Sequence, residues 1–345
     1  MAGSTYKCPS CGGYLTFDPD TQGWKCPYCG ATYTEEEMLG REEEHTAQAT
    51  DGSGSGQVMY HCSSCGSEIV TDATTVATHC YYCHNPVVLQ GKMGEEFRPD
   101  QVLPFQYDRE AALEKFMAWV KTKKFVPNAF FSAQSVENLT GVYYPHFVTE
   151  CTVKGSLSGV AKDVNVQHFP NRSIYHTQIY NVLREGKLTF RNLMRPALKS
   201  ANRKLSDAIH PFPLEQAKAF DGAYLSGFVA ERRDMAAEDY KSEILEEVKG
   251  YVKPMLSSDV HHQSLEGSCT ASLLNYQSKY VLLPTWVLTY PNPKKPEDPY
   301  YYAMNGCTGE ICGKLPLDRG KLLRHALLIG GIVLAVLLLI CYFLI

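Results

Sequence analysis

The sequence predicts an α+β protein in which two small four-cysteine modules precede a central domain of antiparallel sheet, with one membrane-crossing helix at the end. Three observations carry this prediction. Eight of the 13 cysteines fall into one spacing that occurs twice near the N-terminus. The middle of the chain mixes alternating, β-branched and aromatic runs with two apolar stripes of helical period. The last 20 residues are uncharged and strongly apolar.

At 345 residues the chain has room for two or three domains of about 100–200 residues each. Hydrophobic residues at 44% and charged residues at 20% belong to a folded protein and exclude wholesale disorder. The net charge of -4 says little about partners, but its distribution says more. Residues 1–100 hold five Lys and Arg against 14 Asp and Glu, whereas the remainder holds 28 against 23. The cysteine-rich end is acidic and the rest is basic.

The first module, residues 1–36, contains Cys8-x2-Cys11-x14-Cys26-x2-Cys29. The second, residues 58–95, repeats that spacing 54 residues later as Cys62-x2-Cys65-x14-Cys80-x2-Cys83. Each Cys-x2-Cys pair makes a tight knuckle that offers two sulfurs to one ion, and the 14 intervening residues suffice for a hairpin that brings two knuckles together. Four thiolates at about 2.3 Å suit Zn²⁺, so two structural zinc sites in two zinc ribbons are expected. Gly12 and Gly30 follow the second cysteine of their knuckles, where the chain needs positive φ. A bead of fewer than about 40 residues buries too little apolar surface to fold alone, which makes the metal a condition of folding. A catalytic zinc keeps a position open for water, and these sets of four are closed.

In the second module, His84 stands where the first has Gly30, and His61 and His79 flank the cysteines. They are read as bystanders, with a place in or beside the metal site as the alternative. Residues 37–57 between the modules are acidic and then Gly/Ser-rich, the composition of a flexible linker. The ribbons are therefore expected to be independent beads.

Residues 100–315 form the α+β domain. Asp108 caps a helix with Ala112, Phe116 and Val120 on one face. Strands are expected within Gly141–Val164, Tyr180–Phe190 and Ser278–Pro291. A second helix is expected over Met235–Lys249, capped by Asp234 and ended by Gly250. Two short strands then surround an Asn305-Gly306 turn signal. Cys151, Cys269, Cys307 and Cys312 sit in strand-like sequence without knuckle spacing and read as small core residues. His261 and His262 read as loop surface.

Residues 326–345, ALLIGGIVLAVLLLICYFLI, supply 20 uncharged residues; at about 1.5 Å rise each they span roughly 30 Å, the thickness of a bilayer's hydrocarbon core. The preceding segment, residues 316–325, carries Arg319, Lys321, Arg324 and His325, with Lys314 just before it. Positive residues stay on the cytoplasmic side, so the N-terminus and soluble part are expected in the cytoplasm, with a single pass through the cell membrane. The opening residues show no apolar signal-peptide core. A reducing compartment favours metal ligation over disulfides. Gly331 and Ala335 make one small-xxx-small pair.

No nucleophile elbow, phosphate loop or dinucleotide fingerprint occurs in the sequence, and no catalytic or small-molecule site is expected. Nucleic-acid binding requires Lys and Arg. Around the first ribbon stand Lys7, Lys25 and Arg41 against eight acidic residues, among them Asp18, Asp20 and Glu35–Glu37. Such a surface repels a phosphate backbone.

Taken together, KCPSCGG with KCPYCG, the second four-cysteine cluster, GVYYPHF, FDGAYLSGFVAERRD at Phe220–Asp234, LLPTWVLTY, YYAMNGCTGEICGKLP and the apolar C-terminus resemble the bacterial TFIIB-type zinc ribbon-containing membrane proteins. The resemblance covers nearly the whole chain. It implies a non-enzymatic membrane component whose cytoplasmic ribbons engage proteins, with partners of the SPFH (flotillin- or stomatin-like) and phage-shock-protein-A kinds. The chain departs from that pattern in the CSSC and His84 of its second ribbon. The expectation is thus a tail-anchored scaffold for a membrane-stress complex. The alternative is a membrane-tethered protein of nucleic-acid, transcription or replication function.

Overall fold

The structure, a computed structural model, describes residues 4–38, 44–45, 49–50, 57–61, 68–72, 74–79, 86–88, 97–127, 139–199, 201, 203–290, 292 and 300–344. It is an α+β protein with a four-cysteine cluster near the N-terminus and one apolar C-terminal helix.

Near the N-terminus, β1 (Thr16–Asp18), β2 (Gly23–Lys25) and β3 (Thr32–Tyr33) form a small antiparallel sheet, followed by the short α1 (Glu35–Met38). Next come β4 (Gln57–His61), β5 (Glu68–Asp72), β6 (Thr75–His79) and β7 (Pro86–Val88). The central region runs β8 (Gln101–Val102), α2 (Arg109–Lys121), β9 (Thr140–Phe169), β10 (Arg172–Pro196), α3 (Arg203–Ala208) and β11 (Val229–Glu231). It continues with α4 (Lys241–Leu256), β12 (Ser264–Tyr290), β13 (Tyr300–Asn305), β14 (Ile311–Lys314) and the terminal α5 (Arg319–Leu344).

The main sheet has 12 strands, including β6 to β14. It is mixed, because β8 runs parallel to β12 and β11 parallel to β9; the purely antiparallel expectation is corrected at those two pairs. Its core is aromatic, with Phe105 stacked on Phe228 at 4.2 Å and edge-on to Tyr143 and Trp286.

Three strands extend far beyond this core. β9 has 30 residues, β10 has 25 and β12 has 27; at about 3.3 Å per residue β9 is roughly 100 Å long. They pair antiparallel in the order β10-β9-β12 and form a blade. Odd-numbered Cys151, Val153 and Leu157 of β9 face α4, where Ile244, Val248 and Val252 complete a second core. A Cβ at Gly155 would stand 2.6 Å from Val252, so glycine is required for the helix to lie this close. Buried Arg195, 8% exposed, ties the root of β10 to α4 through Glu243 at 2.9 Å and through Glu247.

The second helix differs from its expected bounds. A 3-10 turn at Ala237–Tyr240 precedes α4, and α4 continues through Gly250 and Pro254. The stripe begun by Ile244 and Val248 carries on in Val252 and Leu256, and its burial against the blade outweighs the local cost of glycine. Asp108 does cap α2, accepting from the Ala111 amide at 2.7 Å.

Asn305-Gly306 makes no two-residue hairpin. The Asn305 side chain donates to the carbonyls of Ile209 and Pro211 and accepts from the amides of Cys307 and Thr308, so it pins a longer loop to the core. Cys151 is buried and Cys269, Cys307 and Cys312 are half-buried, in line with packing residues. His262 is not plain surface: it bonds Asp163 at 2.8 Å and stacks on Tyr180.

His146 is buried between β9 and α3. Its Nδ1 donates to the Tyr144 carbonyl at 3.2 Å, so Nε2 accepts from the Ser206 hydroxyl at 2.7 Å. Burial lowers its pKa to about 4 from 6.5; the bond to Tyr144 opposes the shift and nearby His210 adds to it. Protonation is therefore harder in the folded state, so the stability this site contributes is complete above about pH 6.5 and is lost as pH falls towards about 4. The loss amounts to roughly 3 kcal/mol. Denaturant unfolding from pH 7 to pH 4 is expected to show His146→Gln with a shallower fall than the parent by about that amount; parallel curves would refute the assignment.

The apolar helix begins inside the basic segment. The Asp318 side chain accepts from the amides of Gly320 and Lys321, its own amide donates to the Phe125 carbonyl at 2.7 Å, and Lys321 Nζ donates to the Val126 carbonyl at 2.7 Å. The root of α5 is thereby fastened to the segment that follows α2. Among the described residues this is the one helix long and apolar enough to cross a membrane, with mean hydropathy 2.5 over its most apolar 18 residues and none of that stretch buried in the protein.

Candidate metal centre

Cys8, Cys11, Cys26 and Cys29 meet at one point, with all four sulfurs within 4.8 Å of one another. The sequence positions them by symmetry. A bridge between Lys7 and Tyr14 closes the first knuckle, and the pairing of Lys25 with Thr32 closes the second. In each, the glycine amide donates back to the first cysteine's carbonyl, Gly12 to Cys8 at 2.8 Å and Gly30 to Cys26 at 2.9 Å. Both glycines adopt positive φ, 73° and 76°, as their positions predict.

Cys8 Sγ stands 3.7 Å from Cys29 Sγ, and Cys11 Sγ 3.5 Å from Cys26 Sγ. A tetrahedral ion with bonds of about 2.3 Å to sulfur requires edges of about 3.8 Å, so the donor set fits a metal ion. The local electrostatics favour one too. Burial works to raise the Cys8 thiol, but hydrogen bonds from Tyr33 and from the amides of Ser10 and Cys11 bring it down to about 6. Cys26 is also lowered against its burial, chiefly by the amides of Cys29 and Tyr28. Cys11 has the Gly13 amide as a lowering influence, yet the crowding of Cys29 and Cys26 pushes it up to about 12. Sulfurs this close cannot all ionise without a cation among them.

The ribbon around this centre is not an independent bead, which corrects the sequence expectation. Trp24 on β2 is completely buried, and its indole N–H donates to the Ala223 carbonyl at 2.9 Å. Phe17, Trp24 and Tyr224 form a three-ring cluster with centroids 5.3–5.4 Å apart. The Phe17 amide donates to the Ser226 carbonyl, Gln22 Nε2 to the Phe105 carbonyl, and the Tyr224 hydroxyl to Glu35, which also pairs with Lys218 at 3.0 Å. One face of the ribbon is sealed to the α+β body by the AYLSGF stretch at Ala223–Phe228. The opposite face is exposed: Cys11 and Cys29 are exposed, and Tyr28 at the tip of the second knuckle is 65% exposed.

Cys62, Cys65, Cys80, Cys83 and His84 lie outside the described residues, but the strands around them are described. His61 pairs with Glu68 and His79 with Pro86, each partner standing 54 residues after its counterpart in the first module. The duplication thus extends to the backbone register of the residues that flank each cysteine pair. The sheets differ. β4 and β5 belong to a separate three-stranded sheet, whereas β6 and β7 join the main one, with Val76, Ala77, Val87 and Val88 buried. The β6–β7 part of the second module is thus built into the body.

A cleft of about 890 Å³ opens where the first ribbon meets the start of α2, lined by Asp18, Asp20, Lys25, Asp108, Arg109 and Glu110 among others. Three of its charges have structural work: Asp108 caps α2, Asp18 holds its own turn through the Asp20 amide and the Thr21 hydroxyl, and Arg109 Nε donates to the Leu139 carbonyl.

Over 324 residues the chain is 27% identical to the uncharacterized protein YdjG of Bacillus subtilis (strain 168), covering 92% of this chain and 91% of that protein. No family model and no solved structure matches the chain.

Proposed function

We propose that this is a tail-anchored membrane scaffold, without enzymatic activity, whose ribbons present a metal-stabilised knuckle to protein partners. The observation that carries the reading is the two-faced ribbon: its aromatic side is spent on the body, while Tyr28 and the cysteine knuckles point outward. An exposed aromatic on a rigid mount is the kind of group that anchors a protein interface.

The ion is zinc, because four thiolates at tetrahedral spacing suit Zn²⁺ and leave no position open for catalysis. A second zinc lies at Cys62, Cys65, Cys80 and Cys83, supported by the repeated spacing and by the repeated register of the strands beside them. Helix α5 crosses the cell membrane once. Arg319, Lys321 and Arg324 at its start keep the soluble part in the cytoplasm. The partners belong to the SPFH-like and phage-shock-protein-A-like proteins of membrane-stress systems, a reading that rests on the sequence resemblance alone.

Capture of partners from detergent-solubilised membranes with full-length protein is the test. Tyr28→Ala, a change at an exposed side chain, should abolish most of the captured partners and leave the metal content unchanged. An identical partner set for parent and variant would refute the recruiting role of the knuckle. A nucleic-acid role makes a different prediction, binding that weakens steeply with salt; a flat titration at low salt is expected.

A further inference from the structure

The distal blade is used neither by the metal centre nor by the membrane helix. α4 covers only the face of odd-numbered β9 residues such as Cys151, Val153 and Leu157. On the other face, Tyr175, Ile179 and Leu183 of β10 stand 66%, 64% and 66% exposed at four-residue intervals. Val166 lies directly across from Tyr175 on that face. Among the described residues β10 pairs only with β9, so its outer edge is open over its length.

The backbone at this edge makes no strand pairing among the described residues, and its Leu183 carbonyl accepts from the exposed Arg184 side chain at 3.2 Å, a bond the pairing would replace. The amide and carbonyl of Val164 both bond the Gln263 side chain, which lies at the start of β12. Antiparallel alternation then directs odd-numbered residues of β9 towards β10, where they meet even-numbered partners such as Gln178 and Tyr180. The N–H and C=O groups of Tyr175, Ile179 and Leu183 therefore point outward.

We propose that a second copy of this chain pairs with this edge, antiparallel, about a two-fold axis through Ile179. That register sets Ile179 against its own copy and Tyr175 against Leu183, which joins the two apolar stripes across the axis. No like charges oppose directly, since Arg172 meets Gly186 and Arg184 meets Ile174. Residues 172–186 would pair, a seam of about 50 Å at 3.4 Å per residue with about seven hydrogen-bonded residue pairs. With a seam about 10 Å deep the contact totals roughly 1,000 Å², at the lower bound for a specific interface. Confinement of both copies to a membrane raises their effective concentration. This pairing goes beyond the scaffold reading and does not depend on the metal or the partner.

The root of α5 adjoins the Thr140 end of the blade through β12, β13 and β14, far from Ile179. The dimer therefore holds its two membrane helices at opposite ends of one sheet, roughly 140 Å apart at 3.3 Å per residue.

Sedimentation of the full-length protein in detergent, with cysteine cross-linking in membranes, tests the pairing. The parent should dimerise at micromolar concentration, and Ile179→Lys, which opposes two ammonium groups at the axis, should weaken the dimer at least tenfold. Because Ile179 is exposed, metal content should not change, nor should the melting temperature measured at a concentration where the parent is monomeric. Ile179→Cys should give a disulfide-linked dimer absent from the parent, whereas Ser268→Cys on the opposite blade edge should not. The proposal is overturned by a parent that stays monomeric at 100-fold higher concentration, by a dimer insensitive to Ile179→Lys, or by one lost instead on Gly331→Leu in the membrane helix.

Discussion

Replacing Trp24 with alanine is expected to destabilise the whole α+β body by about 4 kcal/mol. Large-to-small substitution of a buried aromatic costs about 3–5 kcal/mol, through lost transfer energy and the cavity left behind. Trp24 is fully buried among Phe17 and Tyr224, and its N–H holds a carbonyl of the body. The loss strands that carbonyl as well. At about 2–4 °C per kcal/mol for a domain of 150–250 residues, melting should fall by roughly 8–16 °C. Trp24→Phe keeps most of the ring and loses the hydrogen bond, so its cost should be nearer 1–2 kcal/mol. The cysteines are untouched, and metal content should hold near its original value. A body that melts unchanged would mean that the ribbon is attached only through the chain.

Removing the metal should produce nearly the same loss by another route. Cys26→Ala leaves three thiols where the donor set needs four, and the variant should lack one metal equivalent per chain. A ribbon of this size has little core of its own, so metal binding supplies its folding energy. When it unfolds, the surface of Tyr224, Ala223 and Leu225 that it covered meets water. The body should lose about 4 kcal/mol, because the same docking face is given up. Full loss of stability is not expected: Cys8 and Cys26 share the buried cluster of Phe105, but the second core beneath α4 contains no ribbon residue.

The knuckles were legible in the sequence because cysteine spacing is a direct record of geometry: four thiolates converge only if both pairs turn tightly, and Gly12 and Gly30 mark where. The docking was not legible. Trp24 and Phe17 carry no sign that their partners lie some 200 residues away, and a Gly/Ser-rich linker after the ribbon pointed to independence. The signal lay in Phe220–Phe228, an apolar run with no helical or strand period, which is the mark of a surface made to receive something.

The length of the blade was hidden for a related reason. Gly155, Gly159 and Gly267 and the many Ser and Thr residues resemble loop sequence. In the fold, Gly155 admits Val252 of α4, and Gly159 and Gly267 lie directly opposite each other on neighbouring strands. Glycine at those places serves close approach rather than turning. Gly250 misled in the same way, because the apolar stripe that continued past it decided the helix.

The central claim is that the metal centre and the α+β body are one folding unit. Hydrogen exchange of the β9 and β12 amides near Tyr143 and Leu282, in full-length protein and in Trp24→Ala, each with and without chelator, tests it most directly. Coupling predicts that chelation lowers protection of those amides in the parent and adds less than about 1 kcal/mol in the variant, since the docking face can be lost only once. Protection in the parent that is indifferent to chelator would contradict the account.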